Sequence, residues 1–111
     1  QEDHVSMGSI SGRKTLKIIK NLEKILAIEL LCATQAFDFR RPLRSGPALE
    51  ACHHLVRNRI AHATNDRLFG QDIHKALKIV RSRELIHLVN QHMGDQDFSD
   101  QHQEFALFKD Y

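Results

Sequence analysis

The sequence predicts an all-α fold, in which one long central helix and several shorter helices form part of an antiparallel helical bundle. Two observations support this prediction. The 111 residues include no Trp, one Tyr, five Gly and two Pro, and few β-branched runs, so little in the composition favours strands. Apolar residues instead recur every three or four positions, which is the spacing of one helix face.

Length and charge restrict the classes of protein to consider. A chain of 111 residues is one domain, and sixteen Lys and Arg against fourteen Asp and Glu leave a net charge of +2. This balance excludes a strongly basic nucleic-acid-binding tail and an acidic solvating tail, and we expect no nucleic-acid partner. Two cysteines are too few for a disulfide scaffold and fit a reducing compartment, so we expect a cytoplasmic location.

The longest apolar stretch, residues 25–33, is interrupted by Glu29 and is far shorter than the roughly 20 residues of a membrane span. We therefore expect no membrane partner, and no signal peptide is recognisable. The first methionine is Met7, which predicts that the sequence begins inside a larger protein.

The first helix is predicted over Ser9–Phe39 from its apolar spacing. Its first half is amphipathic, with lysines and one arginine on the wetter side. In its second half, eight of the nine residues from Ile25 to Ala33 are apolar and cover every face of the helix. A helix that is apolar all round must be buried all round, so we expect the rest of a larger chain or other subunits to cover it.

Proline and glycine mark the boundaries of the elements that follow. The stretch before Pro42 ends the first helix, because a residue that precedes proline is pushed out of the helical region. Ser45 is predicted to cap the second helix and Pro47 to occupy its first turn. Its apolar stripe consists of Leu49, Cys52, Val56 and Ile60.

The second half of the chain predicts a loop, a third helix and a polar tail. The loop covers residues 62–70, and the third helix starts near Asp72 and either continues or restarts near Ser82. Residues 94–100 are polar, and a last short helix over 104–109 would be anchored by Phe105 and Phe108.

Histidine and cysteine are the residue types that would suggest a metal site or a nucleophile. No two histidines are three or four residues apart, which is the spacing that puts two ligands on one helix face, so we expect no metal. Cys32 and Cys52 are expected to be core residues rather than nucleophiles. We expect partly exposed surface positions for His53, His54, His62, His74, His87, His92 and His102.

Carboxylates attract attention at two places. Glu29 shares a stripe with apolar residues, so we expect an ion pair with a partner outside this chain. The opening Gln1-Glu2-Asp3-His4 places two carboxylates, an imidazole and an amide directly before the long helix. A carboxylate held at a helix N-terminus is stabilised in its charged form and can accept a hydrogen bond from an N–H-bearing ligand.

The opening residues resemble a known family. Gln1 to Gly8, followed by Gly12-Arg13-Lys14, is similar to a segment near the C-terminus of histidine ammonia-lyases, a branch of the aromatic amino acid ammonia-lyase family. Further similar stretches follow in the same order: residues 26–31, residues 40–45, Asp66-Arg67 and Asp72-Ile73. The resemblance divides the chain into a C-terminal helical segment of the enzyme over 1–90 and a polar tail over 91–111.

The resemblance implies a function for the opening motif. The family forms homotetramers of long helices, and the histidine enzymes eliminate ammonia from L-histidine to give trans-urocanate. Sister enzymes acting on phenylalanine or tyrosine typically carry Asn-Gln-Asp-Val at the opening position, so Glu2 points to histidine as substrate. The resemblance makes Glu2 the catalytic candidate, either as a base or as a substrate-orienting group, and Gln1 and His4 substrate-binding or orienting candidates.

The family's electrophile, a methylidene-imidazolone, forms from an Ala-Ser-Gly tripeptide that this chain lacks; Arg44-Ser45-Gly46 is the nearest sequence. The family's essential tyrosine is also absent, so we expect the chain alone to be inactive and to hold no cofactor. Two alternatives stay open: a related aromatic amino acid ammonia-lyase or aminomutase, and a non-catalytic helical module that self-associates.

Overall fold

Four α-helices make up the described part of the protein. The computed structural model describes the backbone of residues 2–94 and the side chains of residues 7–94. The helices are α1 (Glu2–Phe39), α2 (Pro47–Arg57), α3 (Gly70–Ser82) and α4 (Glu84–Met93), and no strand occurs among these residues. The predicted all-α fold, with one long helix followed by shorter ones, is confirmed.

The observed boundaries correct three predictions. α1 already includes Glu2, so the prediction that it begins at Ser9 was wrong. Between Glu2 and Ser9, the residue that least favours a helix is Gly8. It costs about 1 kcal/mol relative to alanine, which does not prevent helix formation. α2 is capped by Gly46 rather than by Ser45, whose backbone N–H instead donates to Glu50 Oε1 at 2.8 Å.

The third prediction to be corrected concerns the start of α3, which begins at Gly70 rather than at Asp72. The predicted restart near Ser82 is confirmed: Arg83 adopts a left-handed conformation with φ 62°, which ends α3 and allows α4 to leave in a new direction. The predicted short helix over 104–109 and all but the first residue of the polar stretch 94–100 lie outside the described residues.

The core lies where α1 and α3 pack against each other and against the end of α2. Its buried side chains are Ala27, Val56, Ile60, Ala76, Leu77 and Ile79. α1 and α3 run antiparallel, because Gln35 contacts the loop before α3 while Glu23 pairs with Arg81 at the end of α3. The predicted antiparallel packing is therefore confirmed for α1 and α3.

The N-terminal part of α1 projects beyond this core. Every side chain from residue 7 to residue 22 is exposed, including Ile18 at 66% and Leu22 at 51%. Among residues 25–33, the described part of the chain buries only Ala27, whereas Ile25 and Ile28 remain about half exposed at 52% and 44%. The cover expected for this window from a larger assembly remains a prediction.

Over residues 2–94, none of the helices combines the length and the apolar character that a membrane crossing requires.

Candidate functional site

Two of the predicted site residues, Glu2 and His4, lie at the projecting end of α1. The backbones of Glu2 and His4 belong to its first turns, while their side chains and Gln1 are outside the described part. Asp38 lies 36 positions after Glu2, which corresponds to about 54 Å along a helix that rises 1.5 Å per residue. The structure therefore places the opening motif far from the chain's own core, on a continuous helical arm.

At the opposite end of α1, a polar cluster joins α1, α2 and the following loop. Asp38 Oδ1 accepts a hydrogen bond of 2.6 Å from His53 Nε2 on α2, and Oδ2 accepts one of 2.7 Å from His62 Nδ1 in the loop. Arg57 donates to Oδ2 as well, from Nε at 2.9 Å and Nη2 at 2.6 Å. We call these four residues together with Gln35 the Asp38 cluster.

Gln35 completes the cluster by holding the loop backbone. Its Nε2 donates to the Ala63 carbonyl at 2.8 Å, and its Oε1 accepts from the Ala63 N–H at 3.3 Å and from Arg57 Nη2 at 3.2 Å. These contacts orient the amide. Each polar side chain of the cluster thus has partners, and among the described residues no buried side-chain N or O atom lacks one.

The cluster stabilises the charged form of Asp38. Burial alone would raise the pKa of this carboxyl, but hydrogen bonds from Arg57, His62 and His53 outweigh it and lower the pKa to about 2. The second nitrogen of each histidine faces an N–H donor: His53 Nδ1 faces Arg41 at 3.5 Å and His62 Nε2 faces the Gln35 amide at 3.4 Å. Both ring nitrogens of each histidine therefore lie within hydrogen-bond distance of a polar group of the chain.

A second ion pair closes the turn between α1 and α2. Arg41 donates to both oxygens of Glu50, at 2.8 and 2.7 Å, in the planar geometry that guanidinium and carboxylate groups share. Together with the Ser45 N–H, Arg41 lowers the pKa of the Glu50 carboxyl to about 2. Glu50 is therefore a structural anion that fixes the start of α2.

An open groove of about 680 Å³ lies between α1 and the loop that leads into α3. One wall is formed on α1 by side chains such as Ile28, Cys32, Ala36 and Phe39, and the other by loop and α3 residues that include Phe69 and Ile73. The polar residues in the walls are mostly engaged within the chain: Gln35 and Arg57 belong to the Asp38 cluster, and Arg67 binds Asp72 at 2.9 Å. The groove is therefore mainly an apolar surface.

The two cysteines occupy different environments. Cys32 was expected to be a core residue, but it is exposed, because α3 covers a different face of α1 and leaves Cys32 on the groove wall. Cys52 is half-buried, and burial raises the pKa of its thiol, which disfavours the nucleophilic thiolate.

The histidine and carboxylate predictions have mixed outcomes. Surface positions are confirmed for His54, His74, His87 and His92, and His62 is partly exposed, as expected. His53 is also partly exposed, although its side chain is only 13% exposed because it stacks on Phe37 and binds Asp38. His102 lies outside the described residues.

Glu29 is exposed, and the ion-pair partner proposed for it outside this chain remains a prediction. Between residues 7 and 94, no three His, Cys, Asp or Glu side chains are placed to hold a metal ion.

The Asp38 cluster was not predicted from the sequence. The signal that could have found it is the i, i+4 spacing of His53 and Arg57, which puts an imidazole and a guanidinium on one face of α2. Their shared carboxylate comes from another helix, and only the turn at residues 40–46 brings it to them.

Comparisons with known proteins give consistent results. The model of the aromatic amino acid lyase family matches residues 1–58. A histidine ammonia-lyase of Natranaerobius thermophilus is 43% identical over 95 residues, which cover 86% of this chain and 19% of the relative. A histidine ammonia-lyase of Symbiobacterium thermophilum is 44% identical over 86 residues, covering 78% of this chain and 17% of the relative.

A third relative, a histidine ammonia-lyase of Sorangium cellulosum, is 43% identical over 94 residues, which cover 85% of this chain and 18% of the relative. The chain thus spans about a fifth of the length of the curated relatives it matches. No solved structure matches it.

Proposed function

Because this chain belongs to the aromatic amino acid lyase family, we propose that it is the C-terminal part of an enzyme that eliminates ammonia from L-histidine to give trans-urocanate. The names of its relatives support histidine as the substrate. The observation that carries the proposal is that Glu2-Asp3-His4 form the first turn of α1, at its projecting end.

The projecting arm fits a site that is completed by other parts of the protein. Side chains 7–22 are exposed, so the part of the chain that the structure describes supplies no walls for a substrate beside that arm. Many of the exposed side chains are apolar, such as Ile10, Leu16 and Ile19, and such a surface needs a partner in a stable protein. In the proposal these partners are the remainder of the polypeptide and the other subunits of a homotetramer.

The chemistry assigned to Glu2 follows from its carboxylate. An ionised carboxylate only accepts hydrogen bonds, so it suits the N–H of an imidazole ring or the amino group of the substrate. It can also take the β-proton during elimination if it lies within hydrogen-bond reach. Gln1 and His4 are proposed to contact the substrate or to orient this carboxylate.

The methylidene-imidazolone electrophile is proposed to come from outside this chain. No Ala-Ser-Gly occurs here. In Arg44-Ser45-Gly46 the Ser45 N–H binds Glu50, and Gly46 caps α2, so these residues serve as a structural turn. They do not fit the cofactor-forming tripeptide, and no reaction step is assigned to them.

The test is to assay the complete polypeptide that contains this chain. We expect turnover of L-histidine, seen as urocanate absorbance, and negligible turnover of L-phenylalanine and L-tyrosine in matched assays. A preference for either of those substrates, or the formation of a β-amino acid, would contradict the substrate assignment. The isolated chain of residues 1–111 serves as the control and should show no turnover above the blank.

A second function applies to the isolated chain. Its exposed α1 arm favours a helical module that self-associates without catalysis. An isolated chain that binds copies of itself but leaves L-histidine unchanged is the expected result for this alternative.

A further inference from the structure

The described part of the chain leaves one stripe of α1 uncovered along almost the whole helix. Starting at Gly8, the members of this stripe alternate in steps of three and four residues as far as Phe39. Every one of them is exposed, whereas Ala27 and Thr34 on the opposite face of the helix are buried. We call this set of residues the outer stripe. Its central members are Ser11, Thr15, Ile18, Leu22, Ile25 and Glu29.

The spacing of the outer stripe is that of a helix that pairs with another helix. Alternating steps of three and four residues give the 3.5-residue repeat that keeps one side of a helix against its partner in a coiled coil. At the centre of the stripe, Ile18, Leu22 and Ile25 are 66%, 51% and 52% exposed. Of the five cations between residues 13 and 24, four lie off the stripe and only Lys14 borders it. The centre of the outer stripe therefore suits an apolar helix face.

Glu29 restricts which helix can cover the outer stripe. It is the only charged member of the stripe, and it is exposed in the described part of the chain. A carboxylate that a partner helix covers needs a cation or hydrogen-bond donors, because an unpaired buried charge is strongly destabilising. The partner must therefore present apolar side chains at the centre and a polar or basic group opposite Glu29.

The apolar centre of the stripe is complementary to itself when two copies of α1 run in opposite directions. Two-fold symmetry makes each contact of such a pair occur twice. If Leu22 faces Ile18 of the second copy, the repeat places Ile25 opposite Thr15 of that copy. Moving the second copy by one heptad in one direction would instead place Leu22 opposite Ser11. The first alignment therefore keeps the apolar side chains together.

The same alignment supplies the polar partner of Glu29. It places Glu29 opposite the hydroxyl of Ser11 of the second copy, and Lys14 of that copy lies within one helical turn. Moving the second copy by one or two heptads in the other direction would place Glu29 opposite Ile18 or Ile25 and leave the carboxylate unpaired. One register thus satisfies both the apolar centre and the carboxylate.

We propose that the outer stripe binds a second copy of this chain, packed antiparallel on α1 with Leu22 opposite Ile18 and Glu29 beside Ser11 and Lys14 of that copy. Gly8 of the second copy then meets Cys32 on the wall of the groove, so the groove receives the start of that copy's α1. The inference rests on the association of subunits that the proposed function includes. Its readout is a cross-link rather than turnover, so an incorrect substrate assignment would leave it unchanged.

A disulfide tests this register. Positions 8 and 32 are about 36 Å apart along one helix, so a bond between them can only join two copies. In the complete polypeptide that contains this chain, Gly8→Cys should form a disulfide with the native Cys32 of a second copy under mild oxidation, because facing positions bring the Cα atoms within the roughly 7 Å that the bond requires. The space around Gly8 is open and accepts a side chain. Non-reducing electrophoresis and peptide mass spectrometry identify the bond.

The matched control is Thr15→Cys, which lies on the same stripe. In the proposed register it is about 10 Å further along the helix axis from Cys32 of the second copy, so it should give little of this cross-link. A cross-link from position 15 rather than position 8 would shift the pairing by one heptad and overturn the register. No cross-link from either position, or equal cross-linking from both, would contradict the proposal.

A charge exchange keeps the proposal testable if the cysteine variants fail to fold. Glu29→Lys places two cations together and should raise the concentration at which the copies separate in sedimentation by about tenfold or more. Adding Lys14→Glu should restore the association, whereas adding Lys17→Glu, at an exposed position off the stripe, should not. Unchanged association in Glu29→Lys, or equal recovery with both second substitutions, would refute the proposed contact.

Discussion

Arg57 donates two hydrogen bonds to a single carboxylate oxygen of Asp38, from Nε at 2.9 Å and from Nη2 at 2.6 Å. The pair connects the last residue of α2 to the end of α1 and is largely withdrawn from water, with side-chain exposures of 16% and 19%. Arg57 Nη1 also donates to the Ile60 carbonyl at 3.0 Å, so the same guanidinium fixes the start of the loop.

Replacing Asp38 with Asn should destabilise the fold. The change leaves the guanidinium of Arg57 without its counter-charge in a mostly buried position, and we expect the free energy of unfolding to fall by about 2–4 kcal/mol. Urea denaturation measures this change. The matched variant Asp66→Asn removes an exposed carboxylate and should stay within about 0.5 kcal/mol of the original chain. Equal effects of the two substitutions would contradict the structural role of Asp38.

Acid should weaken the fold between about pH 4 and pH 2. Hydrogen bonds from arginine and other donors lower the folded pKa values of Asp38 and Glu50 to about 2, from ordinary values of 3.8 and 4.5. Groups with a depressed folded pKa contribute stability above their unfolded pKa and lose it as the pH falls toward the folded value. Urea denaturation from pH 6 to pH 2 should show this loss, and Asp38→Asn should flatten the slope. An identical slope in the variant would contradict the assignment.

The break between α3 and α4 predicts a stabilising substitution. Arg83 holds φ at 62°, a conformation that costs a side-chain-bearing residue about 1 kcal/mol and glycine almost nothing. Arg83→Gly should therefore leave stability unchanged or raise it by up to about 1 kcal/mol. Lys78→Gly, at an exposed position inside α3, should lower stability by about 1 kcal/mol. Thermal unfolding measures the stability of both variants. A loss of stability in Arg83→Gly as large as that in Lys78→Gly would contradict the prediction.

The isolated chain should self-associate through α1. Exposed apolar residues line its projecting part, and Ile18 and Leu22, four residues apart, share one helix face. Sedimentation or native mass spectrometry should show a dimer or tetramer. Ile18→Glu combined with Leu22→Glu should shift it toward the monomer, whereas Lys14→Glu combined with Lys17→Glu should have a smaller effect. A monomer at high concentration would refute self-association.

Local sequence patterns were enough to predict most of the helices. The apolar spacing predicted α1, and Pro42 and Pro47 bounded the turn that follows it, because these signals act within a few residues. The prediction of a buried Cys32 was wrong because covering an apolar helix face depends on which other helix packs there. α3 covers the side of Ala27 and leaves the side of Cys32 open.

The candidate site was predictable only as a motif. The opening Gln1-Glu2-Asp3-His4 was identified by its resemblance to a family, whereas the Asp38 cluster depends on residues up to 27 positions apart. No periodicity in the sequence encodes that contact, since it arises when α2 and the loop fold back on α1.

The central claim is that Glu2 belongs to a catalytic site, and the most direct measurement is the kcat/KM of the complete protein for L-histidine after Glu2→Gln. This substitution keeps the shape of the side chain and removes its charge. We predict a fall of about 10²-fold or more with the melting temperature nearly unchanged, and little change for Lys14→Gln on the same arm. A near-normal kcat/KM together with a stability loss of about 1 kcal/mol would make Glu2 a helix cap and contradict the catalytic assignment.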